Sequence, residues 1–210
     1  MAGLPGLNFS GPSRKTVQDL TEGEHEFNIR PNESVYFINC SDSTLSVNSR
    51  SAKVSAENLK NCTINVKYTP LTSFVEIVNC DGLHVHLAEG VSVNTITIDG
   101  SDHVTIHVVN AQEQVSGIWW HKVSKVYVDR GGEQGLFLLD KLEENNKITM
   151  FQHVCKPQPD GTFSKEPVMR ENGYPTTEAE KIAADARQRE IEQAMAERLL
   201  ADIKVTKKDG

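Results

Sequence analysis

Val75-Glu76-Ile77-Val78-Asn79-Cys80-Asp81-Gly82-Leu83-His84-Val85-His86-Leu87 alternates apolar and polar residues, pauses over Asn79–Gly82, and alternates again. Successive side chains on a strand point to opposite faces, so each alternating half is a short strand with one buried face. The next stretch repeats the pattern as Ile96-x-Ile98-x-x-Ser101-x-x-Val104-x-Ile106-x-Val108. Copies begin at Val35, Val54, Val75, Ile96 and Ile118, at spacings of 19, 21, 21 and 22 residues. A fixed period of about twenty residues marks a solenoid whose coils bury their apolar faces against one another. Coils of short strands predict an all-β fold, a right-handed parallel β-helix of five to six coils from Val35 to Val128, its hand following the preference of parallel crossovers. Its corner position holds Cys40, Leu59, Cys80, Ser101 and Val123, all small or apolar, as the inside of a narrow tube requires.

Outside the repeat the composition changes. Residues 1–15 are rich in Gly, Pro and Ser and read as a flexible arm; 16–156 hold the β-helix, with an opening strand near Glu24–Ile29. Leu136–Leu139 and Ile148–Val154 flank the polar Glu143–Asn146 and read as a C-terminal β-hairpin. It caps its own tube or pairs with a second copy. Residues 157–176 contain Pro157, Pro159, Pro167 and Pro175 and read as a loop. Residues 177–205 read as an appended amphipathic α-helix. Thr177 is its N-cap, and Glu180 completes a capping box. Seven acidic and five basic residues between Thr177 and Lys204 leave a single apolar face, which either packs on the β-helix or docks a partner.

The net charge of −7 argues against general nucleic-acid binding, which needs a basic stripe. No apolar run approaches the ~20 residues of a spanning helix. Met1–Pro12 lacks a secretory signal pattern, so a cytoplasmic location is expected. Cys40 and Cys80, two coils apart at ~9–10 Å, are too distant to bridge.

Outward positions carry whatever the surface does. The first strands present Tyr36, Ser55, Glu76, Thr97 and Trp119. The second strands present one ladder of Ser46, Thr63, His84, Thr105 and Tyr127, and another of Asn65, His86, His107 and Asp129. His84, His86 and His107 are candidate zinc ligands. A solvated polar ladder without metal is the expected reading, with Asp129 joining only if the coils keep register. Candidate interface residues are Trp119 on the outer face, Leu136, Leu138, Ile148 and Met150 on the hairpin, and Ile191, Met195 and Leu199 on the helix. No Ser-His-Asp set, Gly-rich phosphate loop or paired-carboxylate site occurs at a recognisable spacing, so neither catalytic residues nor a cofactor are assigned.

Val35-Tyr36-Phe37-Ile38-Asn39-Cys40 with Ser43–Val47, Phe74-Val75-Glu76-Ile77-Val78-Asn79-Cys80, and Val93-Asn94-Thr95-Ile96-Thr97-Ile98 resemble successive coils of the C-terminal domain of cyclase-associated proteins. The hairpin matches, more loosely, the segment through which that family forms strand-exchanged dimers. The resemblance implies a non-enzymatic cytoskeletal regulator that binds actin monomers as a homodimer and promotes nucleotide exchange and filament turnover. Unlike that family, the chain continues past Cys155 into a charged helix. One alternative is therefore a scaffold subunit docked by residues 177–205 into a larger, microtubule-based assembly. The related tubulin cofactor C type acts on GTPases through a strand-borne arginine. Here Val54–Val108 holds no Arg, and Arg50 and Arg130 lie at turns, which disfavours that activity.

Overall fold

Six pairs of short strands wind into six coils. Coil one is β1 (Ser13–Gln18) and β2 (Thr21–Phe27), and coil two is β3 (Glu33–Ile38) and β4 (Ser41–Val47). Coils three and four are β5 (Val54–Glu57) with β6 (Thr63–Val66), and β7 (Phe74–Val78) with β8 (His84–Leu87). Coil five is β9 (Val93–Asp99) and β10 (Val104–His107). After the one-turn helix α1 (Ala111–Gln114), β11 (Val115–His121) and β12 (Lys125–Asp129) make coil six. The odd strands stack into one parallel sheet and the even strands into another, giving a parallel β-helix. This computed structural model describes residues 13–123, 125–130, 136–141, 152–171 and 173–206, of which 136–141 and 199–206 are described by backbone alone.

The corner between the two strands of a coil is built the same way each time. Asp19, Asn39, Asn58, Asn79, Gly100 and Lys122 all have φ between 52° and 58°. Three residues later Glu22, Asp42, Asn61, Gly82 and His103 have φ between 50° and 65°. Asn, Asp and Gly tolerate this left-handed region best, which explains their recurrence before and after the inward residue. The amides turned out by this geometry bond the next coil: Asn39 N to Glu57 O (3.0 Å), Asn58 N to Val78 O (3.0 Å) and Asn79 N to Asp99 O (2.9 Å). Side chains repeat the linkage, since Asn58 Nδ2 donates to Asn39 Oδ1 (3.1 Å) and Asn61 Nδ2 to Asp42 Oδ1 (3.1 Å).

The inward corner residue has its own task. Cys40 and Cys80 donate their thiols to the carbonyls of Ile38 and Val78 (3.5 and 3.3 Å), and Ser101 donates its hydroxyl to Asp99 O (2.9 Å). Cys62 and Ser43 make the same two-residue back-bond at the other side of the corner. A small donor adds a second hydrogen bond to a carbonyl that already accepts the corner amide of the neighbouring coil, a role that Cys and Ser both fill. All four cysteines are free and buried. Between the sheets lie Val35, Phe37, Leu45, Ile64, Ile77, Leu83, Ile96, Ile106 and Ile118, each at most 1% exposed. Phe37, Ala56, Ile77, Ile98 and Trp120 form one inward column, in which small Ala56 leaves room for the Phe37 ring.

The two ends differ from expectation. A sixth coil precedes Val35, because β1 starts at Ser13 inside the expected arm and pairs in parallel with β3. Its inward Lys15 lies over the Phe27 ring at 5.6 Å, burying its stem at the tube mouth. At the other end the first half of the expected hairpin, Leu136–Leu139, is strand, and residues 148–151 of its second half lie outside the described residues. β13 (Leu136–Lys141) runs antiparallel to β12, whereas β14 (His153–Pro157) runs antiparallel to β11, so the two continue different sheets. A further hairpin joins β14 to β15 (Phe163–Pro167) around the turn in which Gly161 N donates to Gln158 O at 2.9 Å. Trp120, inward in coil six, stacks against the His153 ring at 5.7 Å and 20°.

Residues from Glu166 on form a second compact unit. Most of the expected 157–176 loop is therefore strand: besides β15, β16 (Met169–Glu171) and β17 (Tyr174–Thr176) pair antiparallel. The prolines fall at strand ends or on edges, where no ladder donor is needed. Helix α2 (Glu178–Thr206) begins with the expected box: Thr177 N donates to Glu180 Oε2 (3.1 Å) and Glu180 N to Thr177 Oγ1 (3.2 Å).

Two outcomes follow from the corners. A Cβ at Gly100 would meet Asn79 Oδ1 at 2.5 Å with φ at +57°, so Gly100→Ala lowers unfolding free energy by about 1–2 kcal/mol in urea titrations. Gly100→Asn, which restores the residue found at three equivalent corners, loses less. Burial pushes the Cys80 thiol up from 9.0 to about 11. The unfolded chain releases this proton first, so the stabilisation is full below pH 9.0 and drains as pH rises toward about 11. It is worth roughly 2–3 kcal/mol, and melting curves of Cys80→Ser lack that alkaline component.

Candidate functional site

Sheet register decides which outward residues meet. On the odd sheet Tyr36, Ser55, Glu76, Thr97 and Trp119 share one column, as the period predicts. Lys53 Nζ pairs with Glu76 Oε2 at 2.7 Å and lies 4.9 Å from the Phe74 ring. Ser55 Oγ donates to the same carboxylate oxygen at 3.2 Å, and the Arg14 guanidinium sits 4.0 Å over Tyr36. The result is a face of aromatic rings overlaid by cations, held in place by a shared carboxylate.

Trp119, half-buried, occupies the coil-six end of this column. Its indole folds back over Gly117, where an added Cβ would meet Trp119 Cζ3 at 2.7 Å. No pattern in the sequence announces this contact, because it depends on a missing side chain one column away.

The even sheet carries the histidines. β4 pairs with β6 so that Thr44 meets Thr63 and Ser46 meets Asn65. This corrects the expected ladder, which placed Ser46 beside Thr63. The corner of coil two has the usual length. Its first inward strand position holds the buried Ser43 where the later coils have an apolar residue, so a count of apolar residues starts two positions late. The columns are thus Thr44, Thr63, His84, Thr105, Tyr127 and Ser46, Asn65, His86, His107, Asp129. Register holds through coil six, which meets the condition for Asp129 to join. His107 Nδ1 lies 2.9 Å from Asp129 Oδ2, and His107 Nε2 lies 2.8 Å from His84 Nδ1. The His86 ring stacks on His107 with centroids 3.9 Å apart and planes within 2°. The carboxylate accepts a hydrogen bond from His107 Nδ1–H, leaving Nε2 as acceptor for the His84 N–H. Burial first, then the neighbouring His107, hold His84 and His86 below the usual histidine pKa, with Asp129 opposing. Neutral imidazole is therefore their form at pH 7.

Beside this ladder, Asp81, Asp102 and His103 bring ligand atoms within 4.8 Å of one another at a corner. His103 Nδ1 is 3.1 Å from Asp102 and its Nε2 is 2.8 Å from Lys125 Nζ, so that cluster is internally paired.

The remaining interface candidates fall elsewhere. Leu136 and Leu138 lie on β13, in register with Asp129 and Tyr127, while Ile148 and Met150 lie outside the described residues. On α2, Ile191 and Met195 are 49% and 61% exposed, and Leu199 falls in its last turns.

The family described as adenylate cyclase associated (CAP) C terminal matches residues 13–137. The chain belongs to this family. The match opens where β1 opens and ends within β13, so it takes in all six coils and supports the resemblance of the central repeats. Among solved structures, a cyclase-associated protein from Cryptosporidium parvum is similar at a TM-score of 0.53 and 18% identity, over 79% of this chain and 96% of that chain. At that identity the likeness shows the shared β-helix fold. No curated protein matches the chain. Among the described residues, no helix is long and apolar enough to cross a membrane.

The Gly117 contact is directly observable. Gly117→Ala lifts the Trp119 indole off the sheet and shifts its fluorescence emission to the red, while the buried Trp120 component stays in place.

Proposed function

We propose that this chain is a non-enzymatic cytoskeletal protein that binds actin monomers, acts as a dimer, and promotes nucleotide exchange and filament turnover in the cytoplasm. The family match across residues 13–137, the whole body of the β-helix, carries the reading. The odd sheet is the better actin-facing surface. It combines aromatic anchors (Tyr36, Phe74, Trp119) with cations, the residue types that dominate protein interfaces.

The test is nucleotide exchange on ADP-actin monomers, with binding measured in parallel. Saturable binding at micromolar actin and faster exchange are expected, and no binding at that concentration rejects the reading. Trp119→Ala weakens binding about tenfold or more if the odd face makes the contact. Light scattering addresses the dimer: wild type runs as a dimer and Leu138→Lys shifts it toward monomer, whereas a monomer in both removes that part.

A second reading rests on the exposed Ile182, Ile191 and Met195 of α2, which suit a docking helix of a scaffold subunit. Removing residues 177–210 leaves actin exchange intact and abolishes assembly with that partner if both readings hold.

A further inference from the structure

The histidine face serves no purpose in the actin reading and does not depend on it. We propose that His84, His86 and His107 form a binding site for a divalent transition-metal ion, Zn²⁺ above others, with Asp129 as the residue that orients His107. Placement comes first. His84 and His86 are two apart on β8 and therefore point to the same face, about 6.6 Å from one another along the strand. His107 lies directly across from His86 on β10, about 4.8 Å away. The rigid sheet thus fixes three imidazoles at the corners of a small triangle, and the coil stacking that holds it is independent of any ion.

Convergence comes second. His84 Nδ1 and His107 Nε2 already face each other at 2.8 Å. Zinc–nitrogen bonds of ~2.0–2.1 Å at a tetrahedral angle need ~3.3 Å between ligand nitrogens, an opening of about half an ångström. The His84 proton moves from Nδ1 to Nε2, so binding at Nδ1 releases no net proton. His86 stacks its ring on His107 at 3.9 Å. Turning that ring edge-on directs a nitrogen to the same point.

Asp129 supplies the third argument. Its carboxylate lies 2.9 Å from His107 Nδ1, which fixes the tautomer whose Nε2 lone pair points toward His84 and orients the ring. Carboxylate–histidine pairs behind a metal do both. Three imidazoles favour zinc, copper or nickel over calcium or magnesium, and a three-nitrogen set leaves zinc a fourth position toward solvent for water or a partner's ligand. The Asp81, Asp102 and His103 group offers only one imidazole and serves as the internal control.

The full-length chain, stripped with a chelator, is titrated with Zn²⁺ in competition with a chromophoric indicator. Circular dichroism and melting curves confirm that each variant is folded. One ion per chain at micromolar affinity or tighter is expected, with a rise in Tm on adding Zn²⁺. His86→Gln and His107→Ala weaken binding at least about tenfold, and Asp129→Asn weakens it about tenfold to a hundredfold. His103→Ala leaves it unchanged. The proposal is overturned by binding weaker than micromolar, by affinity that survives either His86→Gln or His107→Ala in folded protein, or by its loss in His103→Ala.

Discussion

Everything in the β-helix depends on one repeated constraint: the left-handed corner at which each coil turns from one sheet to the other. The turn places an Asn, Asp or Gly where the backbone would otherwise be strained, and directs the freed amide onto the coil above. Asp19, Asn39, Asn58, Asn79 and Gly100 make this bond in unbroken succession, at 2.9–3.0 Å. Because the corner recurs at a fixed place, the strands stay in one-to-one register, and a residue's position in the period fixes its column. The inside fills with β-branched and aromatic side chains, and the outside becomes a set of straight ladders.

That constraint also shows why some of the molecule was legible in the sequence. The alternation from Val35 to Val128 gave the strands, and the period gave the columns of Tyr36 to Trp119 and of His86 to Asp129. The corner asparagines carried a further signal, a polar residue in the left-handed region beside a small inward donor, which alternation alone does not reveal. The opening strand near Glu24–Ile29 was legible, but β1 was hidden because Ser13-Arg14-Lys15-Thr16-Val17-Gln18 has a single apolar residue on its inward face. An end coil faces the core on one side only and can fill the other with a lysine stem.

The other departures are non-local. A β-helix of two sheets leaves two open edges at its end, and Leu136–Lys141 extends one while His153–Pro157 extends the other. The slip at Ser46 came from the buried Ser43, a polar residue at an inward position that alternation reads as outward. Around Trp119, the decisive feature is the absence of a side chain at Gly117, which no periodicity encodes.

Family membership accounts for the coils, whereas the two outer faces carry the side chains proposed to meet actin and a metal ion. Both faces inherit their geometry from the corners, so the corners are where the account is most exposed. Native-state amide hydrogen exchange measures them most directly. The account predicts that the amides of Asn39, Asn58, Asn79 and Gly100, though at chain reversals, are protected as strongly as the central strands. Exchange at those four positions as fast as in surface loops would contradict it.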